Sequence, residues 1–302
     1  MVRKDTVIDL FAGCGGLSLG LYEAGWQGIF AVEKNPCAFQ TLDYNLIKGK
    51  SHFVWPEWLP HTSLDIIEVN ARYSEQLEAL RGKVGLVAGG PPCQGFSMAG
   101  KRVKDDLRNQ LVFSYIEFID KVRPQLLLFE NVKGFTYAFN KDKNPNAVPY
   151  SQLVIQKLHN LGYDVSSQVI DFSHYGVPQR RKRFILVGVY QGEEGSSQRF
   201  FQRLETSRNA FLRQHRLNDR TTVQEAISDL LKSYGTKESP DRKGFESGLY
   251  GSVQSPYQAW LRQGMTSGKI PNSHSFAHHT EAKCALFERL LRYYPYRGKR
   301  ID

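Results

Sequence analysis

Four short stretches of the chain carry residue types that do chemistry. In GGPPCQGFS, residues 89–97, Cys93 follows two prolines that stiffen the backbone, and the nearby glycines open space around it. That setting suits a thiolate held against a substrate. In LLLFENVKGF, Glu130 and Asn131 close an apolar run. A carboxyl group at the mouth of a buried strand is partly desolvated, which raises its pKa and lets it donate a proton near neutral pH. Gln179-Arg180-Arg181-Lys182-Arg183 precedes the β-rich run FILVGVY. In extended backbone Gln179, Arg181 and Arg183 project to one side, which aims two guanidiniums at a phosphate or a base carbonyl oxygen. DLFAGCGGLSLG, residues 9–20, runs from a strand through Gly13, Gly15 and Gly16 into a helix, so a ligand can approach the backbone at the helix amino end. Each stretch also has a plainer reading: an inert thiol, a capping glutamate, a solvated basic patch, a glycine bend. Lone cysteines are more often inert and buried, and Cys14, Cys37 and Cys284 are read that way.

A set of buried parallel strands must position these groups. Residues 7–11, 28–33, 84–89 and 126–130 are short, nearly continuous apolar runs that suit strands covered on both faces. Helical spacing fills the gaps at 17–24, after Asn35 and Pro36 as N-cap and first helical residue, and at 111–122. A further helix, 148–161, is closed by Gly162, and the β-rich runs 165–170 and 184–190 complete the sheet. The expected fold is therefore α/β, a doubly wound and mostly parallel sheet. Glu33, Cys93 and Glu130 each end a separate strand candidate, so one crevice at the carboxyl rim can collect all three. Glu33 suits the two hydroxyls of a ribose, a geometry shared by nicotinamide and S-adenosylmethionine sites. The dinucleotide fingerprint asks for glycine or alanine at position 18, where this chain has Ser18.

Beyond residue 190 the chain turns polar and arginine-rich, which places a boundary between a catalytic domain, 1–190, and a connector or extension, 191–302. Thr222 and Glu225 form a capping box for TTVQEAISDLL, and residues 233–251 read as a loop. The 302 residues hold 41% hydrophobic and 23% charged side chains, ordinary globular usage. No apolar run reaches the length of a membrane span, and the amino terminus does not read as a signal peptide, so an intracellular, cytoplasmic protein is expected. Four cysteines without a C-x-x-C pair argue against a disulfide framework or a metal site. Forty basic against thirty acidic side chains give +10, which points to a polyanionic partner, nucleic acid first.

In this order the motifs closely resemble the cytosine-C5 DNA methyltransferase family: DLFAGCGG, Glu33, Asp65 with Ile66, PPCQ, ENV and Q-x-R-x-R, spread over residues 9–183. The resemblance implies the Rossmann-like fold of S-adenosylmethionine-dependent methyltransferases and methylation of a flipped cytosine in double-stranded DNA. It implies catalytic roles for Cys93, Glu130, Asn131 and Arg181, with Asn131 holding the Glu130 carboxyl and Arg181 contacting the cytosine oxygen. S-adenosyl-L-methionine would be bound by Phe11, Ala12, Gly13, Gly15, Gly16, Leu17, Glu33, Asp65, Ile66, Pro92 and Leu111. Gln94, Ser97, Gln179 and Arg183 would touch the DNA.

Family members normally continue into a target-recognition region and a Gly-Asn motif, and this chain has no Gly-Asn pair. The expectation is thus a catalytic subunit with a second polypeptide that carries the recognition region and last motifs, in a restriction-modification context and nucleoid-associated if bacterial. The alternatives are a truncated or non-catalytic subunit, RNA cytosine methylation, and a nicotinamide oxidoreductase.

Overall fold

A computed structural model of the chain describes residues 5–92, 107–138, 148–265, 270–271 and 273–293. It divides into two compact units, Met1–His174 with Gln179–Ala210, and Tyr175–Pro178 with Phe211–Asp302.

The first unit follows strand-helix alternation: β1 (Thr6–Leu10), α1 (Gly16–Glu23), β2 (Gln27–Val32), α2 (Pro36–Leu42), α3 (Ile66–Arg72), α4 (Ser74–Ala79), β3 (Leu86–Gly89), α5 (Leu107–Val122), β4 (Leu126–Val132), α6 (Tyr150–Asn160), β5 (Tyr163–Asp171) and β6 (Lys182–Tyr190). A last helix, α7 (Gln198–Gln214), begins within it. The strands form one sheet in the order β2-β1-β3-β4-β6-β5. β1 runs parallel to β2 and β3, and β3 parallel to β4, while β6 runs antiparallel to both β4 and β5.

The apolar runs become strands because both of their faces find cover. On one face Ile8, Leu10, Val87, Leu127 and Phe129 join Tyr115, Phe118 and Ile119 of α5 and Val154 and Leu158 of α6 in the main core. Each such large side chain contributes about 1.5–3 kcal/mol on burial. On the other face Val7, Leu86 and Ala88 pack with Leu17 and Leu21 of α1 and with the half-buried Leu126 and Leu128 of β4. Local signals set the helix ends. The Asn35 side chain accepts the N–H groups of Cys37 (2.9 Å) and Ala38 (3.1 Å) with Pro36 at the first turn, a cap worth about 1 kcal/mol. Gly162 closes α6 with φ 86°, a left-handed conformation that glycine adopts without strain.

The second unit holds α8 (Val223–Ile227), capped by the Thr222–Glu225 box, then α9 (Pro256–Leu261) and α10 (Glu281–Tyr293). The expected loop at 233–251 contains a two-stranded hairpin, β7 (Thr236–Glu238) against β8 (Glu246–Gly248), too short to show an apolar alternation. The polar stretch after residue 190 contains the long helix α7, whose Phe201 and Leu212 are buried although its other positions are mostly polar. Cys14, Cys37 and Cys284, read as buried, are free and exposed. Cys14 lies in the turn before α1, Cys37 in the first turn of α2, and Cys284 on α10, all on solvent-facing positions.

Candidate active site at the carboxyl edge of the sheet

The glycine loop between β1 and α1 is shaped by its backbone. Phe11 takes φ 58° and Gly13 φ 57°, so the chain reverses immediately after the strand. Gly15, φ 89°, sits so close to α2 and the turn that follows it that a Cβ would lie 2.7 Å from Leu46 Cδ1. Over Gly13 and Gly16, by contrast, nothing lies within 4 Å of the place a Cβ would take. Ala12 is buried and donates its N–H to Val32 O (3.1 Å), and Leu17 is half-buried in the first turn of α1.

Glu33, just past β2, is clamped to this loop. Its Oε2 accepts the Gly13 N–H (2.8 Å) and its Oε1 the Asn35 N–H (2.7 Å). Each carboxylate oxygen can accept a second donor, so the fixed carboxylate retains capacity for two hydroxyl groups. Asp65 caps α3 through Ile67 N (2.9 Å) and pairs with Lys34 at 2.7 Å. Burial pushes its carboxyl up, but the Lys34 pair and the Ile67 N–H hold it below the usual value. The Ile66 side chain is buried in the main core. Leu111 is half-buried against the same core.

Three strands along the sheet from β2, β4 delivers Glu130. Its Oε1 lies 2.5 Å from Arg183 Nε on β6. Burial pushes the Glu130 carboxyl above the ordinary glutamate value, and the nearby charge of Arg181 pulls it partly back. Glu130, Arg183, Asp9, Gly90, Phe11 and Leu17 share the wall of one cavity of about 410 Å³, whose remaining lining is apolar and includes Leu128, Phe200 and Leu204. Asp9 was not anticipated as part of the site. It is 1% exposed, accepts the Ser18 hydroxyl on Oδ2, and has no partner for Oδ1 among the described residues. Burial outweighs the Ser18 hydrogen bonds and lifts its carboxyl to about 7, with the Glu33 charge adding to the rise. The signal available in the sequence was a charged residue inside an apolar strand run.

Two expectations change. Asn131 was expected to hold the Glu130 carboxyl, but successive strand residues point to opposite faces. The Asn131 amide bonds instead to Pro91 O (3.3 Å, through Nδ2) and to Val132 N (2.9 Å, through Oδ1). Gln179, Arg181 and Arg183 were expected on one side of an extended chain, yet β6 begins only at Lys182 and Gln179 lies in a bend. Gln179 and Arg181 are exposed, and Arg183 is the member drawn into the cavity. Pro92 is exposed at the end of the described segment, and Cys93, Gln94 and Ser97 lie outside the described residues. Among the described residues no cluster of acidic, histidine or cysteine side chains could hold a metal ion, and no helix is long and apolar enough to cross a membrane.

Residues 6–258 match the family model of the C-5 cytosine-specific DNA methylases. The chain belongs to this family. The type II methyltransferase M.XorII of Xanthomonas oryzae is 36% identical over 188 residues, 61% of this chain and 40% of that protein. M.AquIA of Picosynechococcus, also a type II methyltransferase, is 34% identical over 193 residues, 62% of this chain and 73% of that protein. Among solved structures, a prophage-encoded protein of E. coli described as a candidate DNA modification methyltransferase shares the fold, with TM-score 0.55, 23% identity, 84% of this chain and 63% of that chain covered. The chain spans only 40–48% of four of the type II relatives it matches. For a C-5 cytosine methylase, the open space over Gly13 and Gly16, the clamped Glu33 and the orphaned buried Asp9 Oδ1 fit S-adenosylmethionine, a cationic nucleoside with a ribose.

Proposed function

We propose that this chain methylates carbon-5 of cytosine in double-stranded DNA, with S-adenosylmethionine as methyl donor and Cys93 as nucleophile, in a cytoplasmic restriction-modification setting. The observation that carries the reading is the convergence at one sheet edge of a ribose-type carboxylate, Glu33, a half-buried carboxyl of raised pKa, Glu130, and the Gly90–Pro91–Pro92 lead into Cys93.

S-adenosylmethionine supplies an electrophilic methyl group. Its nucleoside end would meet Phe11, Ala12, Gly13, Gly15, Gly16 and Glu33, with Asp65 and the Ile66 backbone beside the base, and its reactive end would meet Leu17, Pro92 and Leu111. The Cys93 thiolate adds to carbon-6 of the flipped cytosine, forming an S–C bond and moving the ring's π pair toward carbon-5 and nitrogen-3. Glu130 hydrogen-bonds or protonates nitrogen-3 and so takes up the developing charge. Arg181 would contact the carbonyl oxygen of the cytosine, and Arg183, paired with Glu130, would hold that carboxyl in place. The electron pair on carbon-5 would then take the methyl group as its bond to the sulfonium sulfur breaks and leaves a neutral thioether; a base removes the carbon-5 proton, nitrogen-3 gives back any proton received from Glu130, and the Cys93 S–C bond breaks to return the thiolate. Flipping the base costs about a few kcal/mol, which pocket contacts offset. Gln94, Ser97 and Gln179 would contact the DNA.

The proposal extends to a second polypeptide that carries target recognition. β4 is the third strand from one edge of the sheet, yet its Leu126 and Leu128 are only half-buried, and Phe200 of α7 is 38% exposed beside the same cavity. A central strand of a doubly wound sheet normally has both faces covered, so an apolar surface remains here for another chain to cover.

The test is transfer of tritium from labelled S-adenosylmethionine to DNA, with RNA in a parallel arm, with and without a co-expressed candidate partner. Trapping on an oligonucleotide that carries 5-fluorocytosine accompanies it. Incorporation into DNA and trapping, both lost in Cys93→Ser, are expected. Failure of both under every pairing overturns the reading, and labelling of RNA alone would reassign the substrate.

A further inference from the structure

β4 sends Glu130 to one face and Asn131 to the other, and the two side chains hold the same neighbouring segment in different ways. β3 pairs with β4 as far as Gly89 opposite Phe129. Beyond that point the ladder loses its donors, because Pro91 and Pro92 have no N–H. Gly90 lies against Glu130, where a Cβ would come within 3.0 Å of Oε2. The carbonyl of Pro91, just past the paired part of the strand, is held by a side chain: Asn131 Nδ2 donates to it at 3.3 Å. The orientation of the amide is fixed, since Oδ1 accepts the Val132 N–H at 2.9 Å and leaves Nδ2 as the free donor. Asn131 is 2% exposed, so water does not compete for this bond.

We infer that Asn131 is a positioning residue for the nucleophile: its amide donates to the Pro91 carbonyl just past the end of the β3–β4 ladder and fixes the chain two residues before Cys93. It acts on the attack of the thiolate and not on the Glu130 carboxyl. The inference rests on the reading of Cys93 as nucleophile given above. Asn131→Asp keeps the shape and the acceptor for Val132 N but turns the donor into an oxygen facing the Pro91 carbonyl, and Asn131→Ser is too short to reach it.

The experiment measures the single-turnover rate of trapping on 5-fluorocytosine DNA for the wild type, Asn131→Asp and Asn131→Ser, in whatever pairing makes the wild type active. Melting and S-adenosylmethionine calorimetry accompany it. Both variants should bind cofactor and DNA as the wild type does, while trapping slows by about 10- to 100-fold, the cost expected for a reacting atom misplaced by an ångström or less. The pH profile of trapping, which reports Glu130, should keep its midpoint in both variants and move in Glu130→Gln. A wild type that never traps refutes the Cys93 reading and this inference with it. Given a wild type that traps, unchanged rates in the variants, a shifted pH midpoint, or loss of cofactor binding and folding in both variants would each overturn the role assigned to Asn131 alone.

Discussion

Replacing Asp9 by asparagine removes an ionisable group from an enclosed part of the site, and its effect can be worked out. The Asp9 carboxyl stands at about 7 in the folded chain against 3.8 for an ordinary aspartate, because burial disfavours its ionised form. An acid whose folded pKa is raised adds stability fully present below the unfolded value and lost as pH rises through the folded one. The gap corresponds to about 4 kcal/mol in total, of which about 2–3 kcal/mol is lost between pH 5 and pH 9. The asparagine side chain would keep an oxygen for the Ser18 hydroxyl and would not ionise. The stability of Asp9→Asn relative to wild type should therefore climb by that amount from pH 5 to about 7 and level off above. Urea unfolding at pH 5, 7 and 9 measures it. Three of the four tryptophans, Trp26, Trp55 and Trp58, belong to the first unit, so their fluorescence mostly reports the unit that holds Asp9. A difference between the two proteins that stays flat across this range, or that falls with pH, would refute the claim that Asp9 is buried as an acid.

Three further outcomes follow from single contacts. His52 is 1% exposed with no hydrogen-bond partner for either ring nitrogen among the described residues, and burial lowers its pKa below 6.5. Its neutral form supports the fold above the unfolded value and that stability is lost as pH falls below it, so His52→Phe should melt higher and lose less stability on acidification in urea titrations between pH 7 and pH 5. Gly15→Ala forces a Cβ into Leu46 at a φ of 89°, and should cost about 1–3 kcal/mol in thermal unfolding and weaken S-adenosylmethionine binding in calorimetry. Gly90→Ala pushes on Glu130 Oε2 from 3.0 Å; methyl transfer should fall by about tenfold with little change in melting temperature, and an unaltered rate would mean that Glu130 has room to spare.

The parts of this molecule that were legible in the sequence are those whose signal is local. β1 and β3 show as continuous apolar runs because both faces are covered, and α2 announces itself through Asn35 and Pro36. Glu33 and Glu130 could be placed because each is the first charged residue after such a run. α7 was harder to see: Phe200, Phe201, Leu204 and Leu212 keep a helical spacing, but arginines and glutamines dilute it, and its first turn is held by Asp164, which accepts the Ser197 N–H at 2.7 Å from 33 residues away. Asp9 shows the same limit. The aspartate is visible in the strand, whereas the Ser18 hydroxyl that meets it belongs to the next element and becomes its neighbour only after the glycine loop has turned. Ser18, which breaks the dinucleotide fingerprint, thus has a structural task of its own in this fold.

The alternation of β4 lets one strand present two polar side chains to opposite faces of the sheet. Period-two geometry sends Leu126, Leu128 and Glu130 toward the cavity face and Leu127, Phe129 and Asn131 toward the core. Phe129 packs on Tyr115 and Phe135, with ring centroids 5.3 Å and 5.4 Å apart, so the strand is anchored immediately before its two polar residues by one buried ring. With that anchor fixed, the Glu130 carboxyl faces the cavity on one side while the Asn131 amide reaches the proline segment on the other. A slip of a single residue in the β3–β4 register would exchange the two faces and leave neither group in place. The dense aromatic packing beneath β4 therefore bears on rate as well as stability. Phe129→Leu should lower methyl transfer more steeply than its modest loss of about 1–3 kcal/mol in unfolding would account for, a comparison that single-turnover kinetics and urea melts on the same preparation provide.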